Sequence, residues 1–239
     1  MAPPGNGEGD RAQRGGGAGV GETGAGGAGP STTAARRGSP SPFRGGASLA
    51  LVDLGCGNLG SVGLAFERLG LDPLVTADAS AIAAADKVIL PGVGAAGFAM
   101  ERIAALGLAD TLRGLTQPVL GICLGMQLLF EASEEEDTAC LGIIPGRVRR
   151  LAPAPGMPVP HMGWSRLDVR DEAIGLKTGD YVYFAHSFAC DDTPATVASA
   201  EYGRPIPAVV RRGNFLGAQF HPERSGEAGA RFLQAFLAA

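Results

Sequence analysis

The sequence predicts an α/β fold with a mostly parallel central sheet, helices on both faces and an antiparallel extension. In the first half of the chain, short apolar runs alternate with segments of helical spacing, which is typical of parallel strands joined by helices. In the second half, strand-like runs are more frequent, which indicates antiparallel pairing. A tight glycine turn follows one strand of the first half, and open α/β sheets place their sites at such strand ends.

The chain divides by composition near residue 47. Residues 1–47 consist mostly of Gly, Ala, Pro, Ser and Arg, with almost no aliphatic side chain beyond Ala. Such a segment buries too little apolar surface to offset its ordering entropy, so we expect a disordered tail. The 192 residues from 48 to 239 fit one domain.

Charge and cysteine usage argue against several classes of protein. A net charge of −4 gives no electrostatic case for binding nucleic acid or a membrane surface. No apolar run approaches the roughly 20 residues that a membrane helix needs. The four cysteines (Cys56, Cys123, Cys140 and Cys190) show neither metal-binding spacing nor a disulfide-dense pattern. We therefore expect a cytoplasmic chain with no metal, no cofactor and one special thiol.

The first strand, residues 49–54, leads into a glycine-rich loop and a helix that continues to Leu69. Residues 55–60 of this loop spell G-x-G-x-x-G, and Asp78 follows about 20 residues on, as in the dinucleotide-binding fingerprint. A dinucleotide-binding protein is therefore one alternative. However, 192 residues leave little room for a substrate domain, and a nucleotide site does not explain the turn at Cys123. The other alternative is a loop that lines one edge of a cleft.

A second glycine-rich turn, residues 91–97, follows the apolar strand 87–90. A turn of this kind leaves backbone N–H groups free to face a ligand, although it is equally compatible with a plain strand-to-helix connection. The helix after it is predicted to run to about Leu115.

The next strand, residues 118–122, ends in the pattern G-x-C-x-G around Cys123. This is the cysteine version of the nucleophile elbow, in which Gly121 and Gly125 relieve the clash of a tight strand-to-helix turn. The start of the following helix would favour the thiolate. The N–H of Leu124 would be one oxyanion donor, with the second in residues 91–97. A small buried cysteine is the alternative for this motif taken alone.

A second stretch, residues 217–223, offers a base for that thiol. Neutral His221 could accept the thiol proton, while Glu223 holds the tautomer of its ring. In an extended segment the two side chains would project to the same side, and Pro222 prevents helix continuation. Cys123, His221 and Glu223 thus form a candidate catalytic triad.

The remaining segments complete the predicted second half. They are an acidic run at 131–137, an edge-type strand within 143–151, a proline-rich loop at 153–160, an aromatic and polar strand at 181–188, final strands at 209–210 and 215–220, and a terminal helix at 224–238.

Together these motifs resemble the class I, triad-type glutamine amidotransferases. Across residues 49–226 the chain resembles their family of imidazole glycerol phosphate synthase glutaminase subunits. The stretches that carry the resemblance are GNL at 57–59, PGVG at 91–94, CLGMQLLFE at 123–131, PHMGW at 160–164, YFAHS at 183–187 and QFHPERSG at 219–226.

The resemblance implies a role for each matching residue. Cys123 would be the nucleophile, His221 the base and Glu223 the group that orients it. The further sets are Gln127, Glu135, His186, Ser187 and Phe188 for binding glutamine, Gly92, Val93, Gly94 and Leu124 for the oxyanion, and Asn58, Trp164, Tyr183 and Arg224 for a partner interface.

The implied activity is hydrolysis of glutamine to glutamate and ammonia. The ammonia would pass to a cyclase subunit, a separate barrel chain in a heterodimer, which makes imidazole glycerol phosphate and the aminoimidazole carboxamide ribotide of histidine biosynthesis. The alternatives are a glutaminase subunit of another ammonia-dependent synthase and a catalytically silent regulatory subunit.

Three positions depart from the family pattern. Ser165 stands where asparagine is usual, Phe188 where tyrosine is usual, and Arg224 where lysine is usual, which keeps the charge but changes its geometry.

Overall fold

The structure is a computed structural model that describes residues 48–239 except Cys56 and Val93. The expected tail, residues 1–47, and the expected oxyanion residue Val93 therefore lie outside the described residues. The helices are α1 Leu59–Arg68, α2 Ala79–Ala84, α3 Ala96–Ala105, α4 Ala109–Arg113, α5 Leu124–Gln127 and α6 Gly226–Ala238. The strands are β1 Leu49–Val52, β2 Leu74–Thr76, β3 Lys87–Leu90, β4 Val119–Ile122, β5 Ala132–Ser133, β6 Thr138–Ala139, β7 Arg147–Arg150, β8 His161–Val169, β9 Tyr181–His186, β10 Phe188–Cys190, β11 Thr196–Glu201, β12 Pro205–Arg212 and β13 Phe215–Ala218.

The central sheet has nine strands among the described residues, in the order β2-β1-β3-β4-β13-β12-β11-β8-β9. The five strands from β2 to β13 pair in parallel. The four strands from β12 to β9 continue the sheet with antiparallel pairings. The predicted α/β sheet with an antiparallel extension is confirmed.

Side-chain alternation along the parallel strands builds one apolar core on each face of the sheet. Leu120 and Ile122 of β4 pack on the face covered by α1 and α6. Val119 of the same strand packs instead on the face covered by α2, α3 and α4. The prediction of helices on both faces is therefore also confirmed, and β4 is buried on both sides.

A small second sheet, with the order β10-β7-β5-β6, borders the main one. The sequence pattern indicated only β7 of this sheet, because β5 and β6 have two residues each and are too short to show a period. This sheet holds Phe188 at the start of β10. It also holds a single helical turn, Glu135–Asp137, between β5 and β6.

Two predicted helices are shorter than expected. The helix predicted to reach Leu115 is interrupted, because Gly107 adopts φ +66° and ends α3 before α4 begins. The helix after Cys123 has only four residues. Within the described part of the chain, no helix is long and apolar enough to cross a membrane.

Candidate active site

A cleft of about 380 Å³ opens where β4 and β13 end. It brings together most of the residues singled out in the sequence, although they lie far apart along the chain. Those that line it are Asn58, Gly94, Cys123, Leu124, Gln127, Glu135, His186, Ser187, Phe188, His221 and Arg224. Pro160, Met162 and Ala185 complete the wall.

Cys123 occupies a strained turn between β4 and α5. Its backbone has φ 53° and ψ −108°, a conformation that residues other than glycine rarely adopt. The flanking glycines are sterically required: a Cβ on Gly121 would lie 2.6 Å from the carbonyl oxygen of Gly125. One on Gly125 would lie 1.8 Å from the carbonyl oxygen of Leu90, at the end of β3. The predicted elbow geometry is present.

The helix after the elbow contributes less than the sequence suggested. Because α5 is a single turn, it has few aligned peptide dipoles to favour a thiolate. Cys123 is instead anchored by its N–H, which donates to Ala218 O at 2.7 Å. Side chains near the sulfur can therefore add to the stabilisation of a thiolate.

His221 and Glu223 form the expected pair, with 2.9 Å between Nδ1 and Oε1. The extended segment expected from the sequence is wrong, because Pro222–Arg224 forms one helical turn and Glu223 reaches the ring from that turn. The Glu223 side chain is only 1% exposed. Ser225 fixes the turn, since its hydroxyl donates to His221 O and accepts the N–H of Tyr183.

The electrostatics of His221 favour the protonated ring. Burial lowers its pKa, but hydrogen bonding and charge from Cys123 and Glu223 outweigh burial and raise the pKa to about 10. Since Nδ1 faces Glu223, Nε2 is left for the sulfur. At neutral pH the His221 ring is therefore an imidazolium, rather than the neutral histidine expected from the sequence.

The other two cysteines in the described ranges are ordinary buried thiols. Burial and the charge of Glu135 raise the pKa of Cys140 to about 11. Burial, with nearby charges, raises the pKa of Cys190 well above its usual value. Both are poor nucleophiles at neutral pH, which leaves Cys123 as the reactive candidate.

Gln127, on the wall of the cleft, is held by two acceptors. Its Nε2 donates to Phe188 O at 2.8 Å and to Gln219 Oε1 at 3.0 Å. Gln219 is fully buried, and its own Nε2 lies 3.9 Å from Cys123 Sγ. The main-chain carbonyl of Phe188, rather than its ring, thus provides the polar contact at this position.

His186 belongs to a buried hydrogen-bonded chain. Its Nδ1 donates to Phe188 O at 2.7 Å, so its Nε2 accepts from Nδ1 of His161 at 3.0 Å. His161 Nε2 then accepts from the Ser165 hydroxyl at 2.9 Å. Burial lowers the pKa of both histidines to about 4, so both are neutral at physiological pH.

Of the expected oxyanion residues in the glycine-rich turn, Gly92 lies against the elbow. A Cβ on Gly92 would approach Leu124 Cβ to 2.8 Å, so only glycine lets the turn lie this close. Gly94 adopts φ +103° and lines the cleft. The Leu124 N–H opens α5, where N–H groups have no partner within the helix. Val93 lies outside the described residues.

Glu135 joins this turn to the cleft. Its Oε2 accepts the N–H of Ala96, the first residue of α3, at 2.8 Å. The residue before the helix, Ala95, makes no side-chain cap. A carboxylate 39 positions further along the chain therefore caps α3, the helix that follows the expected oxyanion turn at residues 91–94.

The expected interface residues form an aromatic face beside the cleft. Trp164 is 55% exposed, and its ring packs edge-on against Tyr183 at 6.0 Å. The guanidinium of Arg224 lies 4.5 Å from the centre of the Tyr183 ring, and Arg224 also lines the cleft. Met162, which is 64% exposed, extends this face.

The dinucleotide alternative gains no support from the loop at residues 55–60. Asn58 accepts the N–H of Ser61 and caps α1, and its side chain faces the cleft of Cys123. Asp78, the residue expected at a ribose, caps α2 by accepting the N–H of Ala81 at 2.7 Å.

Two buried residues of this network were not singled out in the sequence, namely His161 and Gln219. Gln219 and His221 are two positions apart and both precede the turn at Pro222, and this spacing was a signal that Gln219 also points toward the sulfur. His161 lies 25 positions from His186, and only the pairing of β8 with β9 brings the rings together.

A parallel α/β sheet, a cysteine elbow and a His–Glu pair are together the features of a triad-type amidotransferase. The sequence model of the family "Glutamine amidotransferase class-I" matches residues 57–239, and this chain belongs to that family. The resemblance seen in its motifs is thereby confirmed.

Individual similar proteins indicate which group of amidotransferases this chain resembles. The chain is 53% identical over 192 residues to the imidazole glycerol phosphate synthase subunit HisH of Xanthomonas axonopodis pv. citri, spanning 79% of this chain and 96% of that protein. It is 52% identical, with the same coverage, to the subunit HisH of Xylella fastidiosa strain Temecula1.

Solved structures agree on the fold. A glutamine amidotransferase aligns with a TM-score of 0.64 at 21% identity, covering 80% of this chain and 97% of that one. A glutamine amidotransferase from Thermotoga maritima aligns with a TM-score of 0.52 at 16% identity, covering 80% and 83%. At these identities the likeness concerns the fold alone.

Proposed function

We propose that this chain is the glutaminase subunit of an imidazole glycerol phosphate synthase in histidine biosynthesis. The observation that carries the proposal is Cys123, set in a strained elbow and facing the His221–Glu223 pair in one cleft. The similarity to HisH subunits supports the choice of synthase. A cytoplasmic setting stays a prediction from the cysteine pattern.

The first step is acylation. The Cys123 thiolate attacks the side-chain amide carbon of glutamine, and the carbonyl oxygen becomes an oxyanion between the Leu124 N–H and the turn at residues 91–94. The His221 imidazolium then donates its proton to the departing nitrogen. Ammonia leaves, and the glutamyl group remains as a thioester on Cys123.

The second step is hydrolysis of that thioester. His221, now neutral, accepts a proton from water, which attacks the thioester carbon and releases glutamate. Glu223 keeps Nδ1 of His221 protonated throughout, so Nε2 carries both transfers. Gln127, Glu135, His186, Ser187 and Phe188 form the surrounding wall that would hold the rest of the glutamine.

The partner would be a cyclase subunit, a separate barrel chain that forms a heterodimer with this one. The aromatic face of Met162, Trp164, Tyr183 and Arg224 is the proposed contact, because it combines exposed apolar area with a cation. Met162 and Arg224 also line the cleft, so a partner on this face would border the site where ammonia forms. Ammonia could then pass between the chains without reaching bulk water, where it would be protonated.

A glutaminase assay with and without a candidate cyclase subunit tests the proposal. Glutamate release should be highest in the complex, and the cyclase should use glutamine in place of free ammonia only when this chain is present. A complex that forms but hydrolyses no glutamine would indicate a silent regulatory subunit. Activity with a different synthase, but not with the cyclase, would support the alternative ammonia acceptor.

A further inference from the structure

The sulfur of Cys123 has two close polar neighbours besides His221. Ala185 O lies 4.0 Å from Sγ, and Gln219 Nε2 lies 3.9 Å from it. The carbonyl can only accept a hydrogen bond, so it favours the protonated thiol. The amide nitrogen can only donate, so it favours the thiolate.

The orientation of the Gln219 amide follows from its partners. Phe188 O can only accept, so Gln127 must present its NH₂ group to it. That NH₂ group also faces Gln219, which must therefore present its Oε1. The Gln219 NH₂ group is then the end left for the sulfur.

The same carbonyl is fixed from a second side. His186 Nδ1 also donates to Phe188 O, so both lone pairs of this oxygen are directed toward donors. The backbone N–H of Gln219 donates to Ala208 O at 2.9 Å, which holds the residue beside the end of β13. The amide is fully buried, so bulk solvent does not reach its N–H groups.

We infer that Gln219 is a further catalytic residue, whose side-chain N–H stabilises the Cys123 thiolate and opposes the effect of the Ala185 carbonyl. This rests on the proposed function, because it takes Cys123 as the nucleophile. It would also add to the thiolate stabilisation that the single turn of α5 supplies.

Several ionisable groups share the surroundings of the sulfur. His221, backed by Glu223, faces it from the segment after β13, and His186 faces it from β9. Glu135 and Arg224 line the same cleft, and Cys190 lies behind it on β10. A change confined to Gln219 leaves all of these in place, so a comparison of two chains isolates the amide.

The first experiment measures alkylation of Cys123 by iodoacetamide as a function of pH, with the full chain alone and peptide mapping to identify the modified cysteine. Gln219→Met keeps the length of the side chain but removes both the N–H donor to the sulfur and the Oε1 that accepts from Gln127. We expect the midpoint to rise by about one pH unit, or roughly tenfold less thiolate at a pH below both midpoints, as a hydrogen bond to a charged group requires. Gln117→Met is the matched control. Gln117 precedes β4 and its side chain donates to Ile82 O, so this substitution should leave the midpoint of Cys123 alkylation unchanged.

A second measurement needs no variant of the site. In ¹⁵N-labelled wild-type protein, the side-chain amide signal of Gln219 should move with the same midpoint as the alkylation of Cys123. A midpoint unchanged in a folded Gln219→Met chain, or an amide signal that does not follow the sulfur, would overturn the inference.

These readouts also separate this inference from the proposed function. Alkylation and the amide signal require neither glutamine nor a partner. A complex that forms without hydrolysing glutamine would therefore refute the proposed function while the comparison of midpoints stands. An active complex with an unshifted midpoint would refute only the role of Gln219.

Discussion

At the scale of single residues, the site depends on which groups donate and which accept around one sulfur. His221 is charged because Cys123 and Glu223 together outweigh the effect of burial on its pKa. His161 and His186 are neutral because burial lowers their pKa to about 4 without a carboxylate to compensate. Three histidines within one region thus divide into one proton donor and two fixed hydrogen-bonding groups.

Replacing the nucleophile is the most direct test at this scale. Cys123→Ala removes the sulfur, and hydrolysis of glutamine by the complex should fall to background because no thioester can form. The matched control is Cys140→Ala, which removes another buried thiol and should retain activity. Thermal melting would check that both chains fold. Activity near wild type in the Cys123→Ala chain would contradict the assignment.

The charge on His221 has a consequence for pH dependence. Its pKa is raised from 6.5 to about 10, so the charged pair stabilises the fold fully below about pH 6.5 and this contribution is lost as the pH rises through 10. Glu223→Gln removes one source of the shift. Denaturant unfolding should then show a smaller loss of stability that is complete at a lower pH than in wild type.

The control for that variant is Glu227→Gln, an exposed residue of the first turn of α6. Its unfolding profile should keep the wild-type pH dependence. An identical profile for Glu223→Gln would show that Glu223 does not set the charge of His221.

At the scale of elements, separate segments meet at the end of β4. The elbow packs on β3 through Gly125, and the oxyanion turn packs on the elbow through Gly92. The acidic turn Glu135–Asp137 then closes on the start of α3. The sequence interpretation of Glu135 as a glutamine-binding residue left out its contact with a helix end.

That contact predicts a split between two substitutions. Glu135→Ala removes the acceptor for Ala96 N–H and should cost about 1 kcal/mol of unfolding free energy, as loss of a cap does. Glu135→Gln keeps an acceptor and should lose less, although both should weaken glutamine binding. Urea unfolding measures the first effect, and KM of the complex measures the second.

Glu101→Ala provides the comparison for Glu135→Ala. Glu101 is an exposed residue within α3. Its replacement removes a carboxylate from the same helix at a position that does not cap the helix. It should change stability by less than about 0.5 kcal/mol. Equal losses in the two chains would argue against capping by Glu135.

Whether a contact could be predicted from the sequence depends on how many positions separate its two partners along the chain. The elbow at Cys123 and the pair of His221 and Glu223 are local patterns, and both could be recognised from a few residues. The Glu135 cap spans 39 positions, and the bond between His161 and His186 spans 25. No local sequence pattern indicates such contacts, because they form only when strands β8, β9 and β5 pair with their neighbours in the two sheets.

At the scale of the whole molecule, the cleft lies between the parallel sheet and the aromatic face. The parallel half provides Cys123 and the oxyanion turn, and the antiparallel half provides Trp164 and Tyr183. Arg224 belongs to both, since it contacts Tyr183 and lines the cleft. A partner that covers the aromatic face can therefore influence the site.

We expect the isolated chain to hydrolyse glutamine slowly. The oxyanion turn is rich in glycine, so its peptide planes can rotate at modest cost, and a donor aimed only in the complex would act as a switch. Adding the cyclase subunit with its nucleotide ligand should raise turnover by about 10²–10³, the typical effect of one oxyanion donor. The increase should appear in kcat more than in KM, because the donor acts in the transition state.

Steady-state kinetics of this chain with and without partner and ligand would measure that effect. Trp164→Ala, on the aromatic face, should weaken partner binding, so that the dependence of turnover on partner concentration shifts to higher concentrations. The comparison variant is Phe98→Ala, since Phe98 is an exposed aromatic residue of α3 outside the aromatic face and should leave that dependence unchanged. Full turnover by the isolated chain would rule out the switch.

The carbonyl of Phe188 has one more consequence, for how this sequence can change over generations. The oxygen that orients Gln127 and His186 belongs to the main chain, so every amino acid at position 188 supplies it. Exchange of the usual tyrosine for phenylalanine therefore leaves this anchor intact. Positions 127 and 219 have no such freedom, because their amides belong to the side chains. Substitutions should therefore accumulate at position 188 before they do at 127 or 219.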